Sequence, residues 1–382
     1  MVSGAALDGL LVLDLSVILA GPTVGRIFAD LGARVVKVER PGAGDPVRSM
    51  GRPVGDGGSA WWAYVGRNKE TVSLDLADPT DRAHLLRLAA AADVLVESFR
   101  PGTMAGWGLD YDDLAAVNPR LVVARISGFG AGGPREGWPG FGTLAEAYCG
   151  FAALNGDADG PRLPPTGLAD SVAGLQATVA VLAALHERQR SGLGQLVEVN
   201  LYEPLLGVLG GHVVRDAAAD PDAPAARGHV RGMFAAADGG WVALSAHSEA
   251  TGRAVAALLG LAEPGDRGAV RDPAEVHDRL VAWIASRPRE VALAGLLAAG
   301  IPAVPVLTAA DLAADPHATA RGSLTAVPDG VGAVLMPGIG MDFSRSRHTV
   351  RHTGRPQHAD QERVLAEFAA GRSPEQMAEA RR

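Results

Sequence analysis

The strongest constraint on the fold of this chain is an alternation that runs through residues 1–200. Short apolar runs alternate with stretches of helical spacing. The runs are Leu10–Leu15, Arg34–Glu39, Thr71–Leu76, Val94–Glu97, Leu121–Ile126 and Leu196–Val199, each short and apolar enough for a buried strand. Between the first two, Val24, Ile27, Phe28 and Leu31 recur at helical spacing, with Gly32 as the stop. Asp78-Pro79 opens a second helix that extends to Ala92. From Asp170 onward, Val172, Leu175, Val179, Leu182 and Leu185 form an amphipathic pattern that closes on Arg188, Arg190 and Gly192. This pattern predicts an α/β fold, with a parallel sheet covered by helices on both faces.

The 382 residues exceed one ordinary domain and suggest about two. Residues 215–228, rich in Ala, Asp and Pro without periodicity, read as a linker. Beyond them, a strand at Trp241–Leu244 and helices over Thr251–Leu261, Pro273–Ala285 and Asp311–Arg321 predict a smaller α+β domain. The tail from Gln361 to Arg382 reads as helix, loop, helix.

Composition excludes several classes. A net charge of -8 argues against a general binder of nucleic acid or of anionic membranes. Cys149 is the single cysteine, which removes both an internal disulfide and a cysteine-based zinc site, and no metal is expected. Its apolar surroundings make it a core thiol rather than a nucleophile. No apolar run reaches the roughly 18 residues of a membrane span, and Met1–Ala5 does not open a signal peptide. A cytoplasmic protein is the expectation.

Several segments carry candidate chemistry. The first strand–turn–helix ends in Glu39-Arg40, yet its turn reads Ala20-Gly21-Pro22-Thr23-Val24-Gly25 rather than G-x-G-x-x-G, and the proline removes an N–H, so NAD is not expected. Arg40, Arg48, Arg67-Asn68-Lys69 and Arg100 fall at loops near strand ends. They are either scattered surface charges or a cradle for a polyphosphate ligand. The loop Ser127–Pro134, with Gly130, Gly132 and Gly133, either admits a ligand close to the backbone or is an ordinary surface turn. Asp170 stands where a helix begins, which suits a capping aspartate as well as a catalytic one.

Taken in order, these segments resemble the class III CoA-transferase family, which also contains α-methylacyl-CoA racemases. The resemblance spans almost the whole chain. In the large domain it rests on Leu13-Asp14-Leu15-Ser16 with Ala20-Gly21-Pro22, on Val36-Lys37-Val38-Glu39-Arg40-Pro41 with Gly44-Asp45, and on Asn68-Lys69. It continues through Ala92-Asp93-Val94-Leu95-Val96-Glu97-Ser98-Phe99-Arg100-Pro101-Gly102, Ser127-Gly128-Phe129-Gly130, Asp170 with Gly174, and Gly192-x-Gly194-Gln195. In the small domain Gly300-Ile301-Pro302-Ala303 and Asp315-Pro316 fit as well.

The resemblance implies a Rossmann-like large domain over 1–200 completed by 341–382, a linker at 201–224, a small domain at 225–325 and a return linker at 326–340. It also implies a homodimer of interlocked chains, with each active site between the large domain of one and the small domain of the other. Coenzyme A would be a co-substrate rather than a tightly bound cofactor, partnered by an acyl-CoA donor and a free carboxylic acid. Arg40, Asn68, Lys69, Ser98, Phe99, Arg100, Gly21 and Pro22 match the CoA-binding positions. Asp170 matches the catalytic aspartate. Leu19, Phe141, Gly142 and Gly130 fall at the substrate pocket.

Three of these positions depart from the family pattern. Leu19 stands where oxalate-type transferases place a glutamine, and Gly142 where an acidic residue is usual. Phe141 replaces the histidine of the racemases, and phenylalanine moves no proton. Ser248, with Glu249 beside it, falls near the place of the racemases' small-domain glutamate. These departures favour a transferase over a racemase, and Leu19 with Phe141 disfavours an oxalate-like acceptor. A racemase using other bases, or a CoA-ester binding protein without activity, are the alternatives.

Overall fold

The six apolar runs become strands, the central ones buried on both faces and the edge strand at Leu196–Asn200 only half-buried. The computed structural model describes residues 4–54, 58–217, 230–261 and 273–369. The strands are β1 (Leu11–Asp14), β2 (Arg34–Glu39), β3 (Glu70–Ser73), β4 (Val94–Glu97), β5 (Val122–Ser127) and β6 (Leu196–Asn200). They form one sheet in the order β3-β2-β1-β4-β5-β6, and every pairing is parallel. The order reverses between β1 and β4, so the carboxyl ends of these two strands flank a crevice. Alternate residues feed opposite cores: Val12 joins one, Leu11 and Leu13 the other.

Five helices frame the sheet and its edge: α1 (Ala20–Asp30), α2 (Pro79–Ala91), α3 (Gly142–Tyr148), α4 (Leu168–Ser191) and α5 (Gln361–Ala369). Residues of α1 and α4 build one core, and residues of α2 and α5 the other. The face that α4 buries differs from the expected one. Ala169, Ala173, Gly174, Ala177, Val181 and Ala184 turn inward, while Leu175 (56% exposed) and Val179 (61%) turn outward. Small side chains let α4 lie directly on α1. A Cβ at Gly174 would stand 2.7 Å from the Ala20 carbonyl oxygen. By length and composition α4 could cross a membrane, but its small-residue stripe is packed on protein.

The chain divides into two compact units, Met1–Ala217 with Gly322–Arg382, and Ala218–Arg321. The second holds a three-stranded antiparallel sheet, with Trp241–Ala246 between Val230–Ala235 and Ala303–Pro305. Its core is built from Val242, Leu244, Leu280, Ile284 and Leu296. Two expected linkers contain regular structure. Residues 201–224 begin with helices at Glu203–Val208 and Gly210–Ala217, because Leu205 and Leu209 reach the core. Residues 326–340 include most of a hairpin, Leu324–Pro328 against Ala333–Pro337, which buries Val327 and Met336 beside Ala63. The remainder of the linker over 215–228 and the second tail helix fall outside the described residues.

A buried charge cluster closes the sheet at β1. Lys69 Nζ lies 2.7 Å from Asp14 Oδ2, and Lys37 Nζ lies 3.0 Å from Asp45 Oδ2 and 3.7 Å from Asp14 Oδ1. All four side chains are buried. The cluster also holds the β1–α1 loop. Lys37 donates to the Ser16 carbonyl, Lys69 to that of Pro22, and Asp45 Oδ1 accepts the Ile18 N–H at 3.0 Å. Ile18 sits at φ 72°, a conformation that a β-branched residue adopts only when its surroundings impose it. Lys37→Met would leave Asp14 and Asp45 with one cation between them. We expect it to lower the unfolding free energy by about 3–5 kcal/mol in urea titrations; an unchanged midpoint would show that the cluster carries little of the fold.

Candidate active site

At the reversal between β1 and β4 two loops run side by side. The Val17 N–H donates to Ser98 Oγ at 2.9 Å, which joins the loop after β1 to the loop after β4. Two cavities meet across this seam. The larger, about 770 Å³, is lined by Ile18, Leu19, Trp61, Trp138, Phe141, Pro164 and Asp170, among others. The smaller, about 380 Å³, is lined by Arg40, Leu74, Leu76 and Trp107, with the Lys37–Asp45 charges in its wall. Val17 and Phe99 line both. Phe99 is braced edge-on by Trp107, their ring centres 5.2 Å apart. An elongated ligand, with one end in each cavity, fits a crevice of this kind at the carboxyl edge of a sheet.

The residues expected at the nucleotide divide into two groups. Ser98, Phe99 and Arg100 line the larger cavity, and Phe99 with Arg40 the smaller. Arg40 and Arg100 are exposed, with guanidinium groups able to meet phosphate. Asn68, Lys69, Gly21 and Pro22 line neither cavity. The Asn68 amide donates to Asp30 Oδ1 and to the Thr349 carbonyl, both at 3.1 Å, and its oxygen accepts the Arg351 N–H at 2.7 Å. Lys69 is consumed by Asp14 and by the Pro22 carbonyl. Gly21 and Pro22 are buried in the first turn of α1. Among the expected pocket residues, Leu19, Phe141 and Gly142 line the larger cavity. Gly130, at φ 78°, does not; it donates to Ser127 Oγ at 3.1 Å and shapes the loop.

Asp170 lies three residues past Gly167, which is the N-cap of α4. It is therefore not the cap, and no hydrogen bond to its carboxylate is found among the described residues. The side chain rests between two glycines. A Cβ at Gly142 would stand 2.3 Å from Asp170 Oδ2, and one at Gly167 3.2 Å from it. On α3, Glu146 is only 2% exposed, and its Oε1 accepts the Ala169 N–H at 3.1 Å. Burial, and then the negative charge of Glu146, push the Asp170 carboxyl up to about 6. The positive end of the helix works in the opposite sense, and burial prevails. The result is a carboxylate of raised basicity, without a cation partner among the described residues, in the wall of a largely apolar cleft. Such a group can act as nucleophile or base.

Glu146, Trp138 and Trp107 were not singled out by the sequence. A signal for the first existed, because Gly142, Ala145, Glu146 and Cys149 recur at helical spacing, and all four are buried. No group of three or more potential metal ligands occurs among the described residues.

A model of CoA-transferase family III matches residues 7–361. Succinyl-CoA–D-citramalate CoA-transferase of Chloroflexus aurantiacus is 35% identical to this chain, covering 91% of it and 90% of the relative. Acetyl-CoA:oxalate CoA-transferase of Acetobacter aceti is 34% identical, covering 95% and 96%. Succinyl-CoA:mesaconate CoA-transferase of Haloarcula hispanica is 36% identical, covering 84% and 85%. Among solved structures, a CaiB/BaiF family protein from Brucella suis aligns with a TM-score of 0.83 at 31% identity, covering 96% of this chain and 100% of that one.

The glycine contact of Asp170 is open to a direct test. Gly142→Ala adds a methyl group where Oδ2 now lies. We expect a crystal structure of this variant to show the Asp170 side chain in a new rotamer, turned off α3; an unmoved carboxylate would show that α3 yields instead.

Proposed function

The chain belongs to CoA-transferase family III, and on that premise we propose that it transfers CoA from an acyl-CoA to a free carboxylic acid with Asp170 as the nucleophile. The observation that carries this reading is the Asp170 carboxylate itself, raised in basicity in the wall of the larger cavity, with no ion pair among the described residues. The nucleotide end of CoA occupies the smaller cavity beside Arg40 and Trp107. The pantetheine arm crosses Val17 and Phe99, and the thioester arrives at Asp170.

Exchange of one thioester for another is nearly balanced in free energy, so the barrier is what the enzyme lowers. An Asp170 oxygen attacks the thioester carbon, the C–S bond breaks, and a mixed anhydride forms with release of CoA thiolate. The thiolate then attacks the Asp170 carbonyl carbon, freeing the donor acid as its carboxylate and leaving an aspartyl-CoA thioester. The acceptor carboxylate attacks that thioester, giving a second anhydride and thiolate again. Thiolate attack on the acceptor's acyl carbon yields the new acyl-CoA and restores Asp170. Covalent catalysis divides one hard displacement into easier ones.

The acceptor is an acid with an apolar body. Leu19, Trp138 and Phe141 support this, and Arg100 is the one cation among the residues lining the larger cavity. The relatives named above act on citramalate, oxalate and mesaconate, according to their names. Within the same reading the chain is an interlocked homodimer, consistent with the outward Leu175 and Val179 on α4. Phe141 at the cleft offers no proton, which speaks against racemisation.

Incubation with an acyl-CoA and a labelled free acid is expected to carry label into thioester without α-deuteration in heavy water. Asp170→Ala should lower kcat about a thousandfold or more while CoA binding persists; retained turnover would remove Asp170 from the mechanism. Only the ionised carboxylate attacks, so kcat/KM should rise with pH through an apparent pKa of about 6 and level off above it. A profile flat from pH 5 to 8 would contradict that assignment.

A further inference from the structure

Glu146 is a buried carboxyl lining the cavity of Asp170 that the transfer cycle leaves without a task. It stands one helical turn after Gly142 on α3, so the two share a face of that helix. The Asp170 carboxylate rests on that face at Gly142, and Glu146 occupies the next level. Both residues line the same cavity. Glu146 Oε1 accepts the N–H of Ala169, the peptide immediately before Asp170. No ion pair to Glu146 is found among the described residues.

Of the other charged groups around this point, most are engaged elsewhere. Glu136 lines the cavity and accepts the Gly132 N–H at 3.0 Å. Arg135 turns to the Tyr148 hydroxyl at 3.2 Å, and Arg26 on α1 pairs with Asp30 at 3.0 Å. Arg100 is exposed at the cavity's edge. Two carboxyls therefore line one cavity at the α3–α4 contact, with no ion pair to either among the described residues. A solvated aspartate gains nothing from such an arrangement. A nucleophile gains basicity from it, since a nearby like charge makes its electron pair harder to hold.

Resting on the reading of Asp170 as nucleophile, we propose that Glu146 is a positioning residue that sets the basicity of that carboxylate. It does so by holding a second buried negative charge beside it and by anchoring the N–H that precedes it. Acylation removes the negative charge from Asp170 and so relieves its repulsion by the neighbouring carboxylate that remains.

Glu146→Gln tests this, because the amide oxygen still accepts from Ala169 while the charge is gone. The acid limb of kcat/KM should move down by about half to one pH unit, and the plateau should fall several-fold as the weaker base attacks more slowly. Glu146→Leu, which also removes the acceptor, should lower kcat further. The Asp170 midpoint is read independently by carboxyl carbon-13 NMR, assigned by the signal lost in Asp170→Asn. A midpoint and a limb that both stay put in Glu146→Gln overturn the inference. A midpoint that moves in an enzyme showing no CoA transfer upholds the coupling and instead removes the catalytic reading of Asp170.

Discussion

The Asp14–Lys37–Asp45–Lys69 cluster is the interaction on which the rest of this structure depends. Burial alone would raise the Asp14 carboxyl; the Lys37 and Lys69 charges overcome it and hold Asp14 below its ordinary range. Burial pulls Lys37 down, and Asp14 and Asp45 more than restore it. Lys69 is drawn down by burial, with Asp14 opposing and Lys37 adding to the pull. Its 2.7 Å contact with Asp14 and its bond to the Pro22 carbonyl favour the charged form. The cluster's structural product is the loop from Ser16 to Leu19. That loop forms a wall of the cavity facing Asp170, and it contains a strained Ile18 that the Asp45 carboxylate holds in place. A site built on such a loop is preorganised by charge pairs that sit outside it.

The opposite wall is built on different physics. There, small residues let helices approach closely, so that Gly142 and Gly167 lie against Asp170 while Glu146 bonds the Ala169 N–H before it. That closeness has a thermodynamic consequence. A carboxyl raised to about 6 in the folded chain is most comfortable protonated. Its contribution to stability is fully present below its unfolded value and is lost as pH rises through about 6. Around neutrality the fold therefore carries an ionised aspartate that it does not favour, as is common where activity and stability compete.

Sheet and cleft were unequally legible in the sequence. The six strands could be read because a parallel strand is apolar on both faces, which leaves runs such as Val94–Val96 unmistakable. The inward face of α4 could not, because large apolar residues suggested Leu175 and Val179, whereas close helix packing selects alanine and glycine. Residue type marked Asn68 and Lys69 as polar and near a strand end, yet not that Asp30 and Asp14 would already claim them. Seven of the expected contact residues, including Leu19, Phe99 and Asp170, do line the larger cavity. Helical spacing could mark Glu146 as buried, but its partner is Ala169, 23 residues later, and a contact of that kind leaves no local pattern.

The same environment that disfavours the charge on Asp170 favours the covalent states of the proposed cycle. In a mixed anhydride or an aspartyl thioester the carboxyl is uncharged, so the burial and the Glu146 charge that oppose ionisation no longer act on it. The difference between an ordinary 3.8 and about 6 corresponds to on the order of 3 kcal/mol. In the proposed cycle that amount is released when the nucleophile is acylated, and it offsets part of the intrinsic cost of an anhydride. Ion pairing Asp170 with a lysine or arginine would reverse this balance, stabilising the resting carboxylate and deepening the well from which it must attack. The absence, among the described residues, of a cation bonded to Asp170, in the same unit as four fully buried charges, is therefore a division of labour. Compensated charge holds the scaffold, and uncompensated charge is left for the proposed reaction.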